Sequence, residues 1–326
     1  MCNGSPQEQT WMFKRYILMN THIRKAVFPV AGLGTRMFPA SKSIPKEMLT
    51  LVDRPIIEWI VDEAREAGVE QFIFVTSRNK SCIEDHFDTN FELDQAFARK
   101  GALGVLDKSH SNLPEPGTVL ITRQQKPLGL GHAIWCARHA VGNEPFAVLL
   151  PDMIMRSSPG CLSQMVREYN THGGNIISTE NVPRADVQRY GIVDLKGSNE
   201  KLAAISNMVE KPAPQDAPST AAISGRYILQ PQIFDMLSSQ RPGVGGEIQL
   251  TDALLRLLAI QVVWAYHYDG QTFDCGDKLG FLSANVAIGL DHPKLGEQFR
   301  QKVQQMIGHE ITENGSESSS APLGLS

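Results

Sequence analysis

An apolar run from Ala26 to Val30 breaks off into Ala31-Gly32-Leu33-Gly34-Thr35-Arg36, and Pro45-Lys46-Glu47-Met48-Leu49 follows shortly after. A strand that ends in a glycine-bearing loop lets the backbone approach a bound group closely, so that its N–H donors can aim at phosphate oxygens. Arg36 and Lys46 bring positive charge within reach of the same loop. Glycine, Arg and Lys arriving in order after a strand point to a phosphate-rich nucleotide, whereas Gly-x-Gly alone is more often a tight surface turn. Two common phosphate loops are excluded. Met37 stands where a Rossmann turn needs its third small residue. Gly34 is followed by Thr35-Arg36, whereas a Walker loop closes with Gly-Lys-Ser or Gly-Lys-Thr.

The pattern around this loop alternates strand and helix. Lys25 to Val30 predicts a strand buried on both faces. Asp53 predicts an N-cap with Pro55 in the first turn, and Ile56, Ile57, Ile60, Val61 and Ala64 recur at helical spacing until Gly68. Phe72 to Thr76 predicts the next strand, which makes a βαβ unit with parallel strands and a right-handed crossover. Ser81 to about Lys100 predicts one helix, Val119 to Thr122 a strand, Gly131 onward a helix, and Phe146 to Leu150 an apolar strand. Strands at 175–179, 191–194, 204–209 and 262–268 then alternate with helices at 230–238 and 251–258. The 326 residues therefore predict an α/β sandwich, one domain over 22–309. Residues 1–21 and the Ser- and Gly-rich tail 310–326 are expected to be disordered extensions.

A net charge of −4 argues against a nucleic-acid track, which shows as a basic excess. The five cysteines are scattered without a C-x-x-C pair, which gives no zinc site or disulfide frame and fits a reducing cytoplasm. No apolar run approaches membrane-spanning length, and Lys14-Arg15 interrupt the only apolar stretch near the start, so neither membrane nor secretory signal is expected.

Four groups could carry chemistry. Asp152 follows directly on an apolar strand, where open α/β sheets bind ligands, although an aspartate there could also cap a helix. Asp274 lies in Thr272-Phe273-Asp274-Cys275-Gly276, just past another strand, and alone would read as a turn residue. Together the two carboxylates could hold one Mg²⁺ that also binds phosphate oxygens. Glu210-Lys211-Pro212 ends a strand and could offer a carboxylate to sugar hydroxyls and an ammonium to a phosphate, or be a solvated surface pair. Gln124, with the turn at Gly129 and Gly131, offers an amide suited to a base edge, or a plain loop into a helix. His132 has no Ser or Cys partner at a readable spacing and reads as structural; no nucleophilic triad is present.

In order along the chain stand A-G-L-G-T-R, P-K-E-M-L, G-L-G-H-A, L-P-D, Y-G-I-V, V-E-K-P, G-R-Y-I-L, G-E-I-Q-L-T-D-A and D-C-G-D-K-L-G. This set, from about Lys25 to about Gly289, closely resembles the bacterial UTP–glucose-1-phosphate uridylyltransferases, within the sugar nucleotidyltransferases. The resemblance implies a nucleotidyltransferase-type three-layer α/β/α sandwich with a mixed, mostly parallel sheet. It implies transfer of UMP from UTP to glucose 1-phosphate with Mg²⁺ as cofactor, in a homodimer or homotetramer. Carried over residue by residue, Ala31, Gly32, Gly34, Thr35, Arg36, Glu47, Gln124 and Gly129 would bind the nucleotide. Gly191, Glu210 and Lys211 would bind the sugar phosphate, Asp152 and Asp274 the metal, and Arg36, Lys46, Asp152 and Lys211 would serve catalysis. Glu247 would line the sugar side or an oligomer contact. Ser41 and Ser43 depart from the usual Thr and Ala, but no motif residue is missing. A thymidylyltransferase, another sugar-phosphate nucleotidyltransferase or a non-catalytic regulatory paralogue would share the same scaffold.

Overall fold

The computed structural model describes residues 22–317 apart from 103, 105–109, 111–112 and 198–200, so the expected extension at 1–21 and the end of the tail lie outside the described residues. Strand β1 (Lys25–Pro29) ends at the glycine loop, and a hairpin of β2 (Thr50–Leu51) and β3 (Arg54–Pro55) leads into helix α1 (Ile56–Glu66). Asp53 lies in the hairpin turn, and Pro55 occupies the cap position instead. α1 carries the chain to β4 (Gln71–Thr76), parallel to β1, which completes the βαβ unit. The expected long helix after it is divided into α2 (Ser81–His86) and α3 (Phe91–Arg99), because the Asn90 side chain accepts from the Leu93 N–H at 3.0 Å and starts a new helix.

β5 (Val119–Arg123), α4 (Leu130–Cys136), α5 (Arg138–Val141) and β6 (Phe146–Leu149) follow. Then come β7 (Met153–Arg156), α6 (Cys161–His172), β8 (Asn175–Asn181), β9 (Gly191–Lys196), β10 (Leu202–Glu210) and β11 (Ala221–Leu229). α7 (Ile233–Ser238), α8 (Leu250–Leu257), β12 (Val263–His267), β13 (Gln271–Asp274), α9 (Lys278–Leu290) and α10 (Gly296–Glu317) complete the chain. α10 runs past Glu310.

The main sheet has nine strands in the order β5-β4-β1-β6-β11-β8-β12-β10-β9. Only β10 and β11 run against the others, so the sheet is mixed and mostly parallel. Alternation along β1 sends Ala26 and Phe28 into a core shared with α1, α6 and α9, and Val27 into a core shared with α4, α7 and α8. Covering both faces makes three layers and leaves the strand ends as the open surface. Among the described residues no helix is long and apolar enough to cross a membrane.

Candidate active site

The loop after β1 is tied down at its start, where the Val30 N–H donates to the Val75 carbonyl at 3.0 Å. It then turns at Gly34, whose φ of 68° favours glycine and where a Cβ would stand 3.2 Å from that of Ser41. A Cβ on Gly32 would meet nothing within 4 Å, so the loop backbone there faces open space. That space is a cavity of about 560 Å³. Ala31, Gly32, Gly34, Thr35, Arg36, Lys46, Glu47, Gln124, Gly129 and Asp152, spread over four segments of the chain, all line it.

Gln124 arrives at the end of β5, held by its N–H to the Thr76 carbonyl at 2.9 Å. The Gly129 turn docks on the segment before α8: a Cβ on Gly129 would stand 2.7 Å from the Glu247 Cβ and 2.9 Å from the Ile248 oxygen. The bare face of Gly129 thus admits a neighbouring chain segment. Glu247, expected at the sugar side or an oligomer contact, lines the nucleotide-sized cavity for that reason.

Asp152 and Asp274 come together through a small antiparallel pair that the sequence patterns did not reveal. β7 pairs with β13, Asp274 opposite Met153, and the Cys275 N–H donates to the Asp152 carbonyl at 2.7 Å. A Cβ on Gly276 would stand 2.8 Å from Asp152 Oδ2 and 2.8 Å from Asp274 Oδ1, so both carboxylates crowd against the same backbone position and lie beside each other. Cations surround them. Lys46 Nζ lies 2.5 Å from Asp152, and Arg36 lies 3.9 Å from Asp152 and 3.4 Å from Asp274. Burial alone would raise Asp152, but Lys46 and Arg36 outweigh it and hold the carboxyl below its ordinary value. Burial would likewise lower Lys46, yet Asp152 and Glu47 keep its ammonium above the usual lysine value. Two neighbouring carboxylates offer hard oxygen donors, which suit magnesium. With no cluster of three or more acidic, His or Cys ligands among the described residues, its other positions would fall to phosphate oxygens and water. The Arg36 guanidinium, which lies against both carboxylates, would have to move aside.

The remaining predicted residues form a second cluster. Gly191 opens β9 opposite Glu210. Its missing side chain makes room for Thr251, whose hydroxyl donates to Glu210 Oε2 at 2.7 Å. Lys211, at a φ of 48°, keeps its Nζ 3.3 Å from Glu210 Oε1 and donates its N–H to the Tyr190 carbonyl at 3.0 Å. None of the three lines the nucleotide-sized cavity. Arg189, which sequence reasoning missed, joins the two clusters: it precedes Tyr190-Gly191, lies 3.1 Å from Asp274 and also pairs with Asp277. Tyr227 on β11 feels both. Burial first, then the charges of Glu210 and Asp152, push its hydroxyl well above the usual phenol value.

This joined arrangement lies within residues 25–289, which match the family model for nucleotidyl transferases. The chain belongs to the nucleotidyl transferase family. A UTP–glucose-1-phosphate uridylyltransferase from Bacillus subtilis strain 168 is 44% identical over 290 residues, covering 88% of this chain and 98% of that protein. A UTP-bound UGPase from Acinetobacter baumannii superposes with a TM-score of 0.80 at 47% identity, over 86% of this chain and 99% of that one. A UDP-glucose pyrophosphorylase complexed with UDP-glucose gives a TM-score of 0.74 at 42% identity, over 81% and 98%.

Two buried ion pairs brace the site of this nucleotidyl transferase, and neither was visible as a motif. Glu47 lies beneath the loop with Lys80 Nζ 2.9 Å from its Oε2, while its Oε1 has no partner among the described residues. Burial pulls Lys80 below its ordinary value despite Glu47. Arg226, wholly buried on β11, pairs with Glu63 of α1 at 2.7 Å and donates to the carbonyls of Leu150 and Met153 at 3.2 and 2.8 Å. Those carbonyls flank Asp152, so Arg226 fixes the turn that presents it. His132, expected to be structural, has its Nδ1 3.1 Å from Gln124 Nε2.

Proposed function

We propose that the chain transfers UMP from UTP to glucose 1-phosphate and releases pyrophosphate. The observation that carries this reading is the convergence of the glycine loop, Arg36, Lys46, Gln124 and Asp152 on one cavity, with the Asp274 carboxylate beside Asp152 and Arg36. The names of the relatives and the UTP- and UDP-glucose-bound neighbours support the substrates. A phosphate oxygen of glucose 1-phosphate attacks the α-phosphorus of UTP in line; the new P–O bond forms as the bond to pyrophosphate breaks. A magnesium ion bound by Asp152 and Asp274 would neutralise phosphate charge. Arg36 and Lys46 neutralise the triphosphate, Lys211 meets the incoming phosphate, and Glu210 accepts from sugar hydroxyls. Holding mutually repelling anions in register is most of the catalysis. The same reading carries homo-oligomeric assembly and a cytosolic site of action as expectations.

Purified protein incubated with UTP and glucose 1-phosphate should form pyrophosphate with Mg²⁺ and lose that activity under a chelator, with dTTP a poorer substrate. Binding of UDP-glucose by calorimetry without any pyrophosphate formed would instead identify a regulatory paralogue.

A further inference from the structure

We propose that His132 is a positioning residue that fixes the Gln124 amide with its oxygen toward the nucleotide cavity, so that the base site takes a ring N–H and disfavours a bare ring nitrogen. The proposal deepens the UTP reading and rests on it. The Gly129 carbonyl can only accept, so the nitrogen of the Gln124 amide must face it, at 3.0 Å. His132 Nδ1 lies 3.1 Å from that same nitrogen. An amide nitrogen donates and does not accept, so Nδ1 must carry the lone pair and the imidazole proton must sit on Nε2. Both amide hydrogens are then used. Gln124 is buried but lines the cavity, and its side-chain hydrogen bonds to Gly129 and His132 both run from Nε2. What remains for a base is an acceptor. Uracil offers an N–H at ring position 3, whereas cytosine has a bare nitrogen there.

The ring is held in place. His132 stacks on Trp135 with centroids 5.8 Å apart, the Arg138 guanidinium covers the Trp135 ring at 3.5 Å, and Cys136 Sγ is 3.8 Å from Nδ1. Burial first, then Arg138, depresses the imidazole below its ordinary 6.5, which favours the neutral ring at pH 7. The other charged or titratable groups on the elements packed most closely against α4 are Lys25 on β1, His139 on α5, Asp235 on α7, and Asp252 and Arg256 on α8. A protonated His132 would set a donor against the amide hydrogens. The amide would have to swing away, giving up Gly129 and turning its nitrogen toward the base.

Calorimetry of UTP and of CTP on the whole chain tests this independently of turnover, so an absence of pyrophosphate would count against the parent reading alone. Loss of one hydrogen bond is worth roughly 3- to 10-fold in affinity. His132→Leu should therefore weaken UTP by about that factor and lower the UTP-to-CTP ratio further. His132→Asn, which restores an acceptor, should recover the ratio. Wild-type UTP affinity should also fall more steeply between pH 7 and pH 5.5 than that of His132→Asn, since the titration of UTP itself is common to both. A ratio in His132→Leu equal to wild type, or the same pH profile in wild type and His132→Asn, would overturn the proposal.

Discussion

A methyl group on Gly276 would stand between the carboxylates of Asp152 and Asp274 and 2.5 Å from Arg36 Nη2. The neighbours it would meet are the ends of charged side chains, and Gly276 is not among the positive-φ glycines, so its backbone accepts alanine without strain. Gly276→Ala should thus leave the thermal midpoint nearly unchanged. Turnover should drop by about 10² or more, the range for losing one preorganised electrostatic contact. A variant with wild-type pyrophosphate release would show that turnover does not depend on how the Asp152 and Asp274 carboxylates are placed against Gly276. The two aspartates were legible because each stands at a strand end, Asp152 just after β6 and Asp274 closing β13, and strand ends are where such sheets work. Arg189 and Lys80 were not, since a lone basic residue acquires meaning only when an acid from a distant segment meets it.

At the scale of elements, β11 shows why one part of the fold stayed hidden. All its residues are buried, yet Gly225 and Arg226 interrupt the apolar run that would mark a central strand. Gly225 is needed for approach: with a φ of 94°, its Cβ would stand 2.9 Å from Met153 Cγ and 3.3 Å from Leu150 Cβ. Arg226 is tolerated because Glu63 meets it across the layer from α1. Helices such as α1 and α8 were legible because their period is local; β11 depends on a partner far away in sequence. The same partnership gives a test. Arg226→Met leaves Glu63 buried and uncompensated, which should cost about 3–5 kcal/mol by urea denaturation. Arg226→Met with Glu63→Leu should recover most of that stability. Turnover should not recover with it, because the carbonyls of Leu150 and Met153 still lack their donor and the Asp152 turn loses its anchor. Full recovery of both would show that the turn holds itself.

For the molecule as a whole, the packing that closes the site also buries a thiol beneath it. Cys275 belongs to the core shared with α1, α6 and α9, directly between Asp274 and the backbone contact to Asp152. Burial, reinforced by Asp152 and Asp274, pushes that thiol up to about 12 from an ordinary 9.0. The sign follows from proton counting. Between those values the unfolded chain has released a proton that the folded chain keeps, so stability is fully present below pH 9 and falls as pH rises toward the folded value. One such group contributes at most about 1.4 kcal/mol per pH unit. Cys161, also raised well above its ordinary value by burial, acts in the same direction from the α6 side. The depressed carboxyl of Asp152 acts at the other end: its contribution is present above its ordinary 3.8 and lost as pH falls through the folded value. Urea unfolding should therefore give a stability that declines above about pH 9. In Cys275→Ala the whole curve should lie lower, because a packed side chain is gone. Its alkaline limb should be shallower than wild type by up to about 1.4 kcal/mol per pH unit. Parallel limbs in the two proteins would mean that the Cys275 thiol ionises as freely in the fold as out of it.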